Sequence, residues 1–200
     1  MTILIGLATG LAYLIGAVLL FLICWAFDGY VRSYMARQRE IPREVVKKAE
    51  QQFCQQVESA RLALQGQRVE SKLSLLNIVS ALLKPMYYMG GIEGAVCVYL
   101  DADRRLLDIQ SWVGDSRSVA IPLEGIAAHA RGLGATGVAI AHNHPMPCST
   151  PSDADVWHAA DLKSVLEENG IRLLEDYVWC HNQFKSVLNT RRFRQLIGPT

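Results

Sequence analysis

Residues 141–155 read Ala-His-Asn-His-Pro-Met-Pro-Cys-Ser-Thr-Pro-Ser-Asp-Ala-Asp, and this stretch decides the fold. Just before it, GVAIA (137–141) is a short β-branched apolar run of the kind that forms a buried strand. His142 and His144 stand two apart where that strand ends. Side chains two apart on a strand share a face, so both imidazoles can reach one metal ion. Residues 152–169 read as a helix that Gly170 stops, with Ser152 placed to cap its start. Asp155 lies in the first turn of that helix and can fold back over the strand end. Two imidazoles and a carboxylate suit zinc and leave a fourth position open for water, which separates a catalytic site from a structural one. Pro145, Pro147 and Pro151 stiffen the intervening loop and lower the ordering cost of bringing Asp155 in. The Ser152 hydroxyl is also placed to donate toward a developing oxyanion.

Working outward, GAVCVYL (94–100) predicts a buried strand, residues 101–105 a turn, and residues 106–112 the returning strand of a hairpin. Residues 122–133 predict a helix ended near Gly132 or Gly134, and residues 171–180 a final strand. Helices and strands intermix without strict alternation, so the expected class is mixed α/β or α+β, a sheet flanked by helices. Upstream, Leu75, Leu76, Val79, Leu82 and Leu83 recur at helical spacing within residues 71–83, and Pro85 is expected to end that helix. Before it, Val45, Val46, Ala49, Phe53, Val57 and Ala60 mark an amphipathic helix from Pro42 to Gly66. This is read as a stalk packing on the domain, with a short coiled-coil homodimer seam as the alternative.

Residues 3–27 contain no charged side chain. A helix of that length spans about 37 Å, enough for a hydrocarbon core of about 30 Å. A cleaved signal peptide fits poorly, because no basic side chain precedes the run and no small-residue cleavage pattern ends it. Arg32, Arg37, Arg39, Arg43, Lys47 and Lys48 all follow it. The positive-inside rule therefore predicts a single-pass anchor in the inner (cytoplasmic) membrane with the remainder in the cytoplasm. Five scattered cysteines without a CxxC pair suit a reducing compartment. The organisation read from this is an anchor at 1–30, a basic connector and stalk at 31–66, and a domain at 67–200. A net charge of +1 gives no electrostatic footprint for nucleic acid.

The spacing His-x-His, seven residues, Ser, two residues, Asp is met by His142, His144, Ser152 and Asp155, and it resembles the JAMM (JAB/MPN) zinc metalloprotease motif. The form HNHP…TPSDAD is similar to the RadC-like bacterial branch, with the resemblance running over roughly residues 71–188. It implies a JAB/MPN-like fold, a Zn2+ site at His142, His144 and Asp155, and a catalytic glutamate just before the first core strand, the place that Glu93 holds. Glu124, on the helix after Pro122, is read as a solvated charge. The implied activity is hydrolysis of a peptide or isopeptide bond in a protein substrate, such as a ubiquitin-like conjugate. The alternatives are a non-catalytic zinc-bound membrane scaffold and a RadC-type DNA-associated protein, the latter disfavoured by the charge. The sequence departs from the branch at Met146-Pro147, where Ser-Gly is usual, and at Glu175-Asp176, where Asp-His is usual. Cys148 is read as a passive loop thiol, and His129, His158 and His181 carry no motif context.

Overall fold

The computed structural model describes residues 41–88, 91–116, 118–145, 149–180 and 183–198. The segment expected to cross a membrane, 3–27, lies outside them. Among the described residues no helix is long and apolar enough to span a bilayer. Residues 41–200 form one compact unit.

Two helices open this unit, α1 (Arg43–Leu64) and α2 (Lys72–Tyr88), followed by a hairpin of β1 (Gly94–Leu100) and β2 (Leu106–Val113). Then come α3 (Leu123–Leu133), β3 (Gly137–Asn143), α4 (Asp153–Glu168), β4 (Arg172–Cys180), β5 (Gln183–Ser186) and α5 (Arg191–Ile197). The five strands make one sheet in the order β2-β1-β3-β4-β5. All pairs are antiparallel except β3–β4, which is parallel and joined through α4. The mixed class is found, and the strand and helix ranges read from sequence shift by a residue or two, except the end of the helix read at 71–83. The final strand and helix, β5 and α5, are additional.

Each face of the sheet buries a separate core. On one side, Phe53 and Val57 of α1 and Val79, Leu82, Leu83 and Met86 of α2 pack on Val96, Val98, Ala139, Ala141, Tyr177 and Trp179. On the other, Ile126 and Ala130 of α3 and Leu162 and Leu166 of α4 pack on Cys97, Tyr99, Val138 and Ile140. The alternation along β1 and β3 follows from the two-residue period of a strand. Strand β3 is buried along its whole length, so the residues at its end emerge from the centre of the sheet onto a rigid platform.

One expectation changes. Pro85 does not end α2, which continues to Tyr88. A proline inside a helix leaves the carbonyl four residues back without its N–H partner. Here that carbonyl, of Ala81, accepts a hydrogen bond of 2.8 Å from Gln56 Nε2 on α1. The neighbouring helix supplies the missing donor. Helix α1 packs on the domain as its stripe predicts: Ala49, Phe53 and Val57 are buried in the first core. The stripe weighed as a dimer seam is used within the chain, leaving Val45 and Leu62 exposed.

Two glycines mark close approaches. A Cβ at Gly137 would stand 2.7 Å from Leu174 Cδ1, where the β3–β4 register slips at a bulge between Val138 and Ala139. A Cβ at Gly94 would stand 3.1 Å from Met86 and 3.3 Å from Phe53. Both helices thus press on the start of β1, one residue after Glu93.

Candidate metal centre

The site is built at the C-terminal end of β3. His142 is the penultimate residue of the strand and pairs in register with Ala95 of β1 and Val178 of β4. His144 follows the strand and keeps its line, its N–H donating to Trp179 O at 3.0 Å. Asp155 comes from α4, whose first turn is fixed by a capping box. The Asp155 N–H donates to Ser152 Oγ at 3.2 Å, and Ser152 N–H returns to Asp155 Oδ2 at 2.6 Å. This reciprocal pattern satisfies two otherwise orphaned amides and locks the carboxylate in place.

The three side chains converge. His142 Nε2 lies 3.2 Å from His144 Nε2. Asp155 Oδ1 is 3.2 Å from His142 Nε2, and Asp155 Oδ2 is 3.4 Å from His144 Nε2. A tetrahedral zinc with bonds of about 2.0–2.1 Å sets its ligand atoms about 3.3 Å apart. A proton can bridge two of these groups at a time, whereas a divalent cation satisfies both rings and the carboxylate together. Burial works against ionisation of Asp155, but hydrogen bonds from His142, His144 and Ser152 hold its carboxyl well below the usual carboxylate range. Burial alone would lower His142; the hydrogen bond and charge of Asp155 outweigh it and raise the imidazole above its ordinary value. The donor set and its spacing fit a zinc-type ion.

Glu93 stands where the chain enters β1, 8% exposed. Burial raises its carboxyl above the ordinary glutamate value, opposed by the nearby charges of His142 and His144. Its backbone is pinned from both sides. Glu93 N–H donates to Asp115 O at 2.7 Å and Gly114 N–H donates to Glu93 O at 2.8 Å. The third support is a residue that the sequence reading passed over. Asn143, fully buried between the two histidines, donates from Nδ2 to Ile92 O at 3.0 Å and accepts from Gly94 N–H at 2.8 Å. It grips the residues on either side of Glu93, so the strand that carries the histidines also fixes the glutamate. No periodicity signals this; an asparagine between two ligand-type histidines is the sole trace.

Ser152 caps α4 as expected, and its hydroxyl donates to Asp155 Oδ2 at 2.7 Å. His158, one turn along α4, is held below the ordinary imidazole value by burial. His129 lies toward the far end of the sheet, paired at 2.6 Å with Asp108, which stands opposite Tyr99. Met146, Pro147, Cys148 and His181 lie outside the described residues. Glu175, one of the two departures near the chain's last long strand, is buried and ion-paired with Lys72, and accepts from Ser186 Oγ at 2.8 Å.

A mixed sheet between helical layers, with His-x-His at the end of its central strand and an aspartate from the next helix, defines a JAB-type domain. The family model described as the RadC-like JAB domain matches residues 70–192, and the chain belongs to that family. It is 35% identical over 92 residues to a UPF0758 protein of Psychrobacter sp. (strain PRwf-1), covering 46% of this chain and 41% of the relative. Identity to the UPF0758 protein of Aquifex aeolicus (strain VF5) is 33% over 95 residues, covering 47% and 41%. For that of Chromobacterium violaceum it is 32% over 123 residues, covering 60% and 55%. The chain spans about half the length of these relatives, or less.

Proposed function

We propose that the protein is a zinc-dependent hydrolase of peptide or isopeptide bonds, with His142, His144 and Asp155 as ligands, Glu93 as general base and acid, and Ser152 assisting. The observation that carries this reading is the convergence of His142 Nε2 and His144 Nε2, 3.2 Å apart, on the two carboxylate oxygens of Asp155, at 3.2 and 3.4 Å, beside a buried carboxyl. When bound, the ion supplies Lewis acidity toward the scissile carbonyl and a water acidic enough to lose its proton near neutrality. Glu93 would accept a proton from the attacking water and return it to the leaving amine; a carboxyl raised by burial is suited to both transfers. The Asn143 grip and the Asp115 and Gly114 backbone bonds hold the glutamate in one position during the exchange. The Ser152 hydroxyl, which donates to Asp155, must swing from it to reach a developing oxyanion. The substrate class proposed is a protein joined through its tail to a lysine, such as a ubiquitin-like conjugate, met at the cytoplasmic face of a membrane that holds residues 3–27.

Zinc content of the full-length chain tests the metal centre. One zinc per chain is expected in the parent and none in the His142→Ala/His144→Ala double variant. Glu93→Gln should keep its zinc and lose cleavage of ubiquitin-like fusions by about 100-fold or more, the scale of a lost general base. A well-folded parent without zinc would sink the hydrolase reading. Full cleavage by Glu93→Gln would remove Glu93 from its role.

A further inference from the structure

The sheet face that carries His142 carries a second buried acid. Strands β3 and β4 run parallel, with Asp176 opposite Ile140 and Val178 opposite His142. Asp176 therefore sits one strand over and one two-residue step behind His142. Ile140 points into the core under α3 and α4, and Val178 packs with Val156 and Ala159 of α4. By strand alternation, His142 and Asp176 lie on that same face, beneath α4. Asp176 is 2% exposed, and among the described residues its Oδ1 has no hydrogen-bond partner. An interior carboxylate left in this condition is a burden to the fold unless positive charge arrives beside it.

His142 explains where that charge would come from. Its Nε2 faces His144 and Asp155, so Nε2 is the nitrogen offered to an ion. The other ring nitrogen, on the backbone side, then carries a proton, and a ligand imidazole of this kind is oriented by an acceptor for that N–H. We propose that Asp176 is a positioning residue of the metal centre, fixing the His142 ring from the sheet side and balancing the charge of the bound cation. This rests on the metal reading above. The acid costs stability in the metal-free protein and contributes affinity in the loaded one, opposite effects that a packing residue does not have.

The test uses the full-length chain, with zinc affinity measured by competition against a chromophoric chelator and melting followed with and without zinc. Asp176→Asn and Asp176→Ser are compared with Asp108→Asn, a carboxylate that pairs with His129 toward the far end of the sheet. Both Asp176 variants should bind zinc roughly 10–100-fold more weakly, melt no lower than the parent when metal-free, and show a smaller rise in melting temperature on adding zinc. Asp108→Asn should keep the parent affinity. Unchanged zinc affinity in a folded Asp176 variant overturns the proposal, as does equal weakening by Asp108→Asn. Failure of both Asp176 variants to fold without metal also overturns it, because the acid would then be supporting the fold. A parent that binds no zinc overturns it together with the hydrolase reading, whereas a parent that binds zinc as tightly as its Asp176 variants leaves that reading standing.

Discussion

Asp155 and Asp176 show how one residue type takes opposite electrostatic roles within a single site. Asp155 is held by donors and stays ionised; Asp176 is buried, with the carboxylates of Asp155 and Glu175 also near, and resists ionisation. A carboxyl whose folded value is raised gives stability that is present below its unfolded value, near 4, and is lost as pH rises through about 7. In metal-free protein, Asp176→Asn should therefore match the parent near pH 4 and become the more stable of the two by pH 8. The difference should be on the order of a few kcal/mol, read from urea midpoints at each pH. A difference that does not change with pH would mean the carboxyl is not held back by burial. The converging set of His142, His144 and Asp155 was legible in the sequence because it depends on residue type and spacing alone. Asn143 was not, because its role lies in two hydrogen bonds to backbone atoms some fifty positions earlier, and the burden on Asp176 was not, because it depends on which side of β4 is covered.

At the scale of elements, caps and turns behaved as their residues dictate. Ser152 caps α4, Gly134 closes α3 with φ 69°, and Gly170 follows α4 with φ 71°. The helix stop expected at Pro85 failed because a local rule was overridden by a neighbour: α1 reaches across with Gln56 to the bare carbonyl of Ala81. Gln56→Ala should cost about 1 kcal/mol in the parent. In a Pro85→Ala background the cost should nearly vanish, since the restored N–H satisfies the same carbonyl. Urea unfolding of the two single variants, the double variant and the parent gives the coupling directly; equal costs in both backgrounds would show that Gln56 acts elsewhere. Strand β5 escaped the sequence reading because four residues with an alternating exposed and half-buried pattern carry little signal. Helix α5 is seven residues long and buries only Phe193, too short for its period to register.

For the molecule as a whole, the boundary of interest is the one at α1. The family match begins at residue 70, yet the core begins with Ala49, Phe53 and Val57. The first core thus reaches beyond the matched residues and takes in a helix that precedes them. Phe53→Ala should cost about 3–5 kcal/mol, the range for emptying a fully buried aromatic position. A fragment that begins at residue 67 should lose cooperative unfolding, while one that begins at 41 retains it. Cooperative melting of the shorter fragment at the parent midpoint would show α1 to be dispensable. The sequence displayed the stripe on α1 but not its destination, since an amphipathic face looks the same whether it meets a second copy or its own sheet. The Phe53 ring lies against Gly94, next to Glu93, so α1 buttresses the entry to the strand that carries the glutamate. Shaving that ring would loosen the seat of Glu93 before it reached His142, which the interior strand holds between two neighbours.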